Sequence, residues 1–120
     1  MSQPVPDPDC LFCRIVAHEV PSTVVTETVH SLAFRDISPA APTHVLVIPK
    51  AHYPDATTLA VADPAAFADL MVTADAVATL EGLTERGYRV VINTGRDAGQ
   101  TVFHAHAHVL GGRDLRWPPG

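Results

Sequence analysis

Runs of apolar and alternating residues along the chain predict a sheet of about five strands. Two β-branched or alternating segments separated by a short polar break are typical of a β-hairpin; they are residues 22–28 and 31–37. A buried strand is expected at residues 44–49, where apolar residues form a continuous run. Two further strands are predicted at residues 88–93 and 101–111.

Helical spacing of apolar residues predicts one long helix and one short N-terminal helix. The long helix begins at Asp63 and Pro64, because aspartate caps free amides and proline suits the first helical position; Gly82 ends it. Its apolar face consists of Phe67, Leu70, Met71, Ala74, Val77 and Ala78. The short helix falls within residues 10–20. Strands, a helix and then strands indicate an α+β fold with a mainly antiparallel sheet.

Length and composition narrow the class of protein. The 120 residues suffice for one domain, expected over residues 10–120, and three prolines in residues 1–9 predict a flexible tail. The net charge of −5 argues against nucleic-acid binding, and the apolar runs are too short to span a membrane. Two cysteines without a basic, apolar leader segment predict a reduced, cytoplasmic protein.

Three histidines occupy alternate positions of the last predicted strand. His104, His106 and His108 should share one face, while the residues between them and Phe103 face a core. The row extends over about 13 Å, so the three cannot bind one metal ion unless the strand bends. Imidazole is a competent nucleophile and acid–base group at neutral pH. The pattern therefore favours a catalytic or ligating row over a merely solvated face.

The histidine row and its surroundings resemble a known family. His-x-His-x-His followed by apolar residues is the signature of the histidine triad (HIT) superfamily, whose members transfer or hydrolyse nucleotidyl groups. The segments "FRDISPAAPTHVLVIPKAH", "VVINTGRDAGQTVFHAHAHVLGG" and "WPPG" resemble its Hint branch, the purine nucleoside phosphoramidases. The resemblance covers roughly residues 10–120. It implies a HIT-like fold and hydrolysis of purine nucleoside 5′-phosphoramidates to a nucleoside monophosphate and an amine.

The resemblance implies a role for each catalytic histidine. His106 would attack the α-phosphorus and form a nucleotidyl-histidine intermediate, which water then cleaves. A backbone carbonyl within the triad strand would select its tautomer. His108 would contact phosphate oxygens and help to protonate the leaving group. His44 would lie just behind His106 and tune it.

The resemblance also implies a nucleotide pocket. Asp36 would accept hydrogen bonds from the ribose hydroxyls, and Arg35 stands where the best-known relatives carry a histidine beside the base. The residues expected near the phosphate are Asn93, Gly99, Gln100 and Thr101. Those expected to wall the base are Leu11, Phe12, Ile15, Phe34 and Ile37. The family forms homodimers, which would place Trp117 against a leaving group in the other protomer.

The cysteine pair suggests a metal site. Cys10-x-x-Cys13 is half of a zinc site, although two buried thiols would explain the pair equally well. The resemblance implies that His52 and His104 complete a Cys₂His₂ site for structural zinc. We expect no catalytic cofactor.

Three other functions fit the same residues. The first is hydrolysis of dinucleoside polyphosphates within the same superfamily, against which the Hint-like ending argues. The second is a nucleotide-binding scaffold protein with incidental catalysis. The third is a zinc-dependent interaction module. Relative rates on the two substrate types separate the first of these from the phosphoramidase hypothesis.

Overall fold

Five antiparallel strands form one sheet in the computed structural model, which describes residues 5–120. The strands are β1 (Val24–Glu27), β2 (Ser31–Arg35), β3 (Thr43–Pro49), β4 (Arg89–Val91) and β5 (Ala107–Gly111). Their order across the sheet is β1-β2-β3-β5-β4, and every neighbouring pair is antiparallel. The predicted α+β class and five-stranded sheet are confirmed. The flexible tail stays a prediction, and residues 1–4 lie outside the described part of the chain.

Three α-helices accompany the sheet: α1 (Leu11–Val16), α2 (Ala56–Ala62) and α3 (Pro64–Leu80). The predicted start of α3 is confirmed, since Asp63 accepts a hydrogen bond from the Ala66 amide at 3.1 Å. The short helix α2 was not predicted. Its β-branched residues disfavour a helix, and seven residues are too few to show a clear helical period. Asp55 nevertheless caps it by accepting a hydrogen bond from the Thr58 amide at 2.8 Å.

Helix α3 packs on one face of the sheet. Side chains alternate between faces along a strand, so Val45 and Val47 of β3 and Val109 of β5 meet the helix. The helix residues buried against them are Ala66, Leu70, Thr73, Ala74, Val77 and Ala78. Phe67 and Met71, which the pattern placed on the inner face, are only half-buried. The principal core therefore lies between α3 and the sheet.

Helix α1 covers part of the opposite face and forms a second, smaller core. Its members are Cys10, Phe12, Cys13, Ile15, Leu32, Phe34, Leu46 and Ile48. His44 precedes Val45 in β3 and so lies on this same face. The histidine row flanks this core, which makes the α1 face the one that carries the candidate chemistry.

The last strand begins later than predicted. Strand β5 starts at Ala107, and residues 102–104 form a bend instead of continuing the strand. The amide of Ala105 donates to the Tyr53 carbonyl at 2.7 Å, a partner outside the sheet. Phe103, expected to face a core, is 54% exposed because the bend turns it outward. Within the described residues, no helix combines the length and apolar character needed to cross a membrane.

Candidate active site

His106 lies just before β5 in a nearly closed apolar setting. Only 7% of it is exposed, and its ring packs edge-on against Phe12 with centroids 5.2 Å apart. Its Nδ1–H donates to the His104 carbonyl oxygen at 2.7 Å. This bond places the proton of the neutral ring on Nδ1, so Nε2 carries the lone pair. The predicted backbone carbonyl partner is therefore present.

His108 lies beside His106 on the same face, with ring centroids 5.1 Å apart. Burial, together with the neighbouring His106 and His44, lowers the pKa of His108 from 6.5 to about 4, while Asp36 opposes this shift. The ring is therefore neutral near pH 7. A neutral ring has one N–H to offer to a ligand or to a protein partner.

His44 contacts His108, not His106 as predicted. The register pairs His44 with Leu110 and Leu46 with His108, so His44 reaches His108 diagonally across the two strands. The distance between His44 Nε2 and His108 Nδ1 is 2.9 Å. The other nitrogen of His44, Nδ1, accepts a hydrogen bond from the Ala40 amide at 3.0 Å.

The Ala40 amide is a contact that sequence reasoning missed. The sequence of residues 38–43, with two prolines, is typical of a loop, and the pattern of side chains does not show which backbone amide will donate. Both main-chain polar groups of Ala40 are hydrogen-bonded, because Arg113 donates to the Ala40 carbonyl at 3.0 Å. The backbone amide that bonds His44 is thus held in place.

Asp36 is half-buried at the end of β2, next to His44. Its Oδ1 accepts from the Ser38 amide at 2.7 Å, and its Oδ2 lies 3.5 Å from His44 Nε2. The Asp36 amide donates to the His44 carbonyl at 3.0 Å, which ties the two residues together through their backbones. A carboxylate held this way retains lone pairs for hydroxyl donors.

The predicted apolar walls divide into two groups. Phe12, Ile15 and Phe34 are buried in the core beneath α1, so they form a floor. Leu11 is exposed on α1, and Ile37, beside Asp36, is 98% exposed. The exposed pair offers apolar surface that a flat base can cover.

Arg35 is not beside this floor. It follows Phe34 in β2 and therefore points to the α3 face, where its guanidinium makes a bidentate pair with Glu81 at 2.5 and 3.1 Å. The prediction that its side chain lies near the base is wrong, because strand alternation places it on the other side of the sheet.

The loop before the histidine row uses most of its predicted phosphate donors internally. Gln100 is 4% exposed, and its side chain bonds the Gly95 amide and the carbonyls of Pro54 and Val102 at 2.7–3.1 Å. The Gly99 amide donates to the Arg96 carbonyl at 3.0 Å. Neither group is available to an anion in this arrangement. Both are used to close the turn.

Two other residues of this loop remain accessible. The side-chain NH₂ of Asn93 donates to the Ala98 carbonyl at 2.7 Å, and its side-chain oxygen takes no part in that bond. Thr101 is exposed. These two keep polar groups that can meet a ligand.

The C-terminal segment lies against β4. Arg89 donates to the carbonyls of Leu115 and Arg116, both at 2.9 Å. Trp117 is 82% exposed on this chain.

The two cysteines and two of the histidines converge on one point. The ring of His104, at the end of the bend over residues 102–104, lies beside Cys10 and Cys13. The donor atoms of Cys10, Cys13, His52 and His104 all lie within 4.8 Å of one another. The sequence-based ligand set is thus brought together, and the bend resolves the distance problem of the row.

The spacing of these atoms fits a tetrahedral zinc ion. Ideal bonds require S–N separations of about 3.6 Å and an N–N separation of about 3.3 Å. The structure has 3.4 Å from Cys10 Sγ to His104 Nδ1, 3.2 Å from Cys13 Sγ to His52 Nδ1 and 3.2 Å between the two nitrogens. His104 Nε2–H donates to the Pro49 carbonyl at 2.8 Å, which leaves Nδ1 free to bind a metal.

The protonation states of the cluster couple metal binding to pH. Burial lowers the pKa of His104 to about 4, so its ring is in the neutral, metal-binding form. Burial raises the pKa of the Cys13 thiol to about 11, so zinc binding to this residue releases a proton. The Cys13 amide donates to Cys10 Sγ at 3.4 Å, a bond that also favours a thiolate.

Comparison with known proteins agrees with this arrangement. Residues 17–115 match the HIT domain family. The 14 kDa zinc-binding protein of Zea mays is 50% identical over 117 residues, which cover 95% of this chain and 90% of that protein. Adenylylsulfatase HINT1 of Arabidopsis thaliana is 45% identical over 117 residues, covering 95% of this chain and 78% of that protein.

Solved structures agree as well. The crystal structure of a HIT family hydrolase from Legionella pneumophila Philadelphia 1 matches with a TM-score of 0.89 and 48% identity, over 93% of this chain and 100% of that one. The chain therefore belongs to the HIT family, as the histidine row predicted.

Proposed function

We propose that this protein is a hydrolase of purine nucleoside 5′-phosphoramidates that works through a nucleotidyl-histidine intermediate. One observation carries the proposal. His106 is a nearly buried ring whose Nδ1–H is held by the His104 carbonyl, so the lone pair of the neutral ring lies on Nε2. Since a neutral imidazole needs no deprotonation before attack, this geometry suits a nucleophile.

In the first step the Nε2 lone pair of His106 forms a bond to the α-phosphorus. The phosphorus–nitrogen bond of the substrate breaks, and its electron pair stays on the amine, which takes a proton from water. The His104 carbonyl stabilises the positive charge that develops on the His106 ring. In the second step water attacks phosphorus and gives a proton to the hydroxide left by the first step, the electron pair of the phosphorus–nitrogen bond returns to His106 Nε2, and nucleoside monophosphate is released.

His108 donates a hydrogen bond to a phosphoryl oxygen in this account. Its lowered pKa makes the ring neutral, so it stabilises charge as a donor and does not supply the leaving group's proton. Asn93 and Thr101 contribute further polar contacts on the phosphate side. Gln100 and Gly99 shape the loop that holds them.

The nucleoside would lie along the α1 face. Asp36 would accept bonds from the ribose hydroxyls, and the base would rest on the floor of Phe12, Ile15 and Phe34 between Leu11 and Ile37. Aliphatic and aromatic walls pack against a flat ring and make few hydrogen bonds to its edges, so several purines should bind.

We also propose that Cys10, Cys13, His52 and His104 hold structural zinc. The zinc-binding relative from Zea mays and the donor spacing support this. Bound zinc would act as a cross-link between α1 and the residue whose carbonyl orients His106. The chemistry at phosphorus needs no step at the metal.

A homodimer completes the proposed assembly. The exposed Trp117 and β4, one of the two outer strands, which has no strand partner on its outer side in the described part of the chain, support an interface with a second copy. The leaving group of one protomer would then lie near the partner's tail.

A second substrate has support from one relative, whose name states that it is an adenylylsulfatase. Attack by His106 on the phosphorus of adenylyl sulfate would expel sulfate in place of an amine. Both substrates share the nucleotidyl-histidine intermediate, so comparing their kcat/KM values assigns the preference.

A rapid-quench mass measurement tests the intermediate. With an adenosine phosphoramidate, an adenylyl adduct should appear on the peptide that contains residues 101–112 and be absent in His106→Ala. A His30→Ala variant, altered far along the chain in the β1–β2 turn, should keep the adduct. Turnover without any adduct would contradict the covalent route.

A further inference from the structure

His44 has only one proton to share between two acceptors. Its Nδ1 accepts the Ala40 amide at 3.0 Å, so the proton of the neutral ring is on Nε2. That Nε2–H faces His108 Nδ1 at 2.9 Å and Asp36 Oδ2 at 3.5 Å. Because Arg113 and the backbone of Asp36 fix the surrounding segment, His44 cannot turn away from either neighbour without losing these bonds.

The destination of this proton determines which form of His108 is present. When His44 donates to His108 Nδ1, the proton of His108 must be on its other nitrogen, Nε2, where it can face the phosphoryl group. When His44 donates to Asp36 instead, His108 Nδ1 loses its donor and the tautomer is no longer selected. Asp36 and His108 are therefore competing acceptors.

We infer that ribose recognition at Asp36 sets the tautomer of His108 through His44. This inference rests on the proposed function, in which ribose hydroxyls bond Asp36. Once those hydroxyls donate to the carboxylate, Asp36 is a weaker competitor and the His44 proton is committed to His108. His44 is thus a positioning residue, and the hydroxyls of the substrate help to assemble the donor that stabilises its own phosphate.

The first test separates kcat from KM. We compare adenosine phosphoramidate with its 2′,3′-dideoxy analogue. The analogue should lose about tenfold in kcat, because one misplaced donor forfeits part of the hundredfold or more that such a donor contributes. In His44→Leu the kcat ratio of the two substrates should fall below about twofold, while the KM ratio stays as in the wild type because Asp36 still binds ribose.

His44→Gln serves as the conservative control. Its side-chain oxygen can accept the Ala40 amide and its NH₂ can donate to His108, so it should restore part of the kcat ratio that His44→Leu loses. A kcat ratio that is the same in wild type and in His44→Leu would overturn the inference.

The second test needs no turnover. Ring nitrogen resonances of His108 report its tautomer, and we record them with saturating AMP and with 2′,3′-dideoxy-AMP. Both carry the phosphate, so only the hydroxyls differ. AMP should raise the Nε2–H fraction of His108 above that seen with the dideoxy compound, and His44→Leu should remove the difference.

The outcomes of the two tests separate the inference from the proposed function. Equal His108 spectra with both bound nucleotides overturn the inference and leave the hydrolase proposal intact. The expected spectral difference without hydrolysis of phosphoramidates would support the inference and overturn the proposed reaction. Failure of AMP to bind would overturn both.

Discussion

At the scale of residues, the ring nitrogen that carries the proton determines which hydrogen bonds each histidine of the site can make. His106 and His108 are adjacent rings of the same kind, yet backbone and side-chain partners give them different tasks. A carbonyl holds the Nδ1 proton of His106, whereas His44 Nε2 faces the Nδ1 of His108. In the proposed reaction the same imidazole group therefore serves as a nucleophile at one position and as a donor at the other.

Substitution of the two rings should separate these tasks. His106→Ala should lower kcat/KM to the level of background hydrolysis, because the covalent route is lost. His108→Gln should lower kcat by about 10²–10³, the usual effect of removing one charge-stabilising donor, with a smaller effect on KM. Steady-state kinetics with an adenosine phosphoramidate measures both. Equal losses for the two variants would argue against distinct roles.

His108 also makes stability depend on pH. Its pKa is about 4 in the folded protein and 6.5 when unperturbed, so the unfolded chain binds more protons between these values. The free energy of unfolding should therefore fall as pH falls from 6.5 towards 4. His108→Gln should lose less stability over this window, as measured by urea unfolding with zinc saturating. A parallel decline in both proteins would contradict the assignment.

At the scale of elements, the loop over residues 93–101 is a closed unit whose geometry depends on Gln100. Three backbone groups bond its buried side chain, and Gly95 and Gly99 have positive φ values of 86° and 84° that glycine adopts without strain. The loop presents Asn93 and Thr101 while its own donors are used internally. The loop therefore contributes to the site by holding these two side chains in position.

Gln100→Ala should cost about 2–3 kcal/mol of stability, since three buried hydrogen bonds are lost at about 1 kcal/mol each. It should raise KM more than it lowers kcat, because the loop becomes mobile while His106 and His108 remain. Chemical denaturation and kinetics measure the two effects. Thr101→Val is the matched variant: it removes a hydroxyl that faces solvent and should leave stability within about 0.5 kcal/mol of the wild type.

At the scale of the whole molecule, the Cys₂His₂ cluster joins parts of the chain that are distant in sequence. Cys10 and His104 are 94 positions apart, and their donor atoms lie 3.4 Å from each other. A metal there would cross-link α1 to the segment before β5. The stability of the fold and the orientation of His106 would then both depend on the metal bound by His104.

Zinc removal should therefore destabilise the entire domain. A chelator, or the double variant Cys10→Ser/Cys13→Ser, should lower Tm by about 10 °C or more, which corresponds to a few kcal/mol at this size. Metal analysis of the untagged protein should find one zinc per chain in the wild type and none in the double variant. Equal metal content in the two proteins would remove the zinc assignment.

Taken by itself, the sequence determined the number of strands, the cap and start of α3 and the histidine row. These depend on short-range patterns: alternation, capping chemistry and motif spacing, all of which act within a few residues. The resemblance to the HIT family, and not these patterns, supplied the four residues of the cysteine–histidine cluster and the grouping of Asp36 with Phe12, Ile15 and Phe34, and their roles stay predictions.

Only the tertiary structure decided what each of these side chains contacts. Register moved His44 to His108 and the fold brought His104 to Cys10 and Cys13, whereas strand alternation alone could have assigned Arg35 to the α3 face. Gln100 became internal because the carbonyl of Pro54, 46 positions away, joins two backbone groups of its own loop around the side chain. Such contacts depend on the relative positions of whole elements, which local pattern does not encode, and on backbone amides and carbonyls that every residue carries alike.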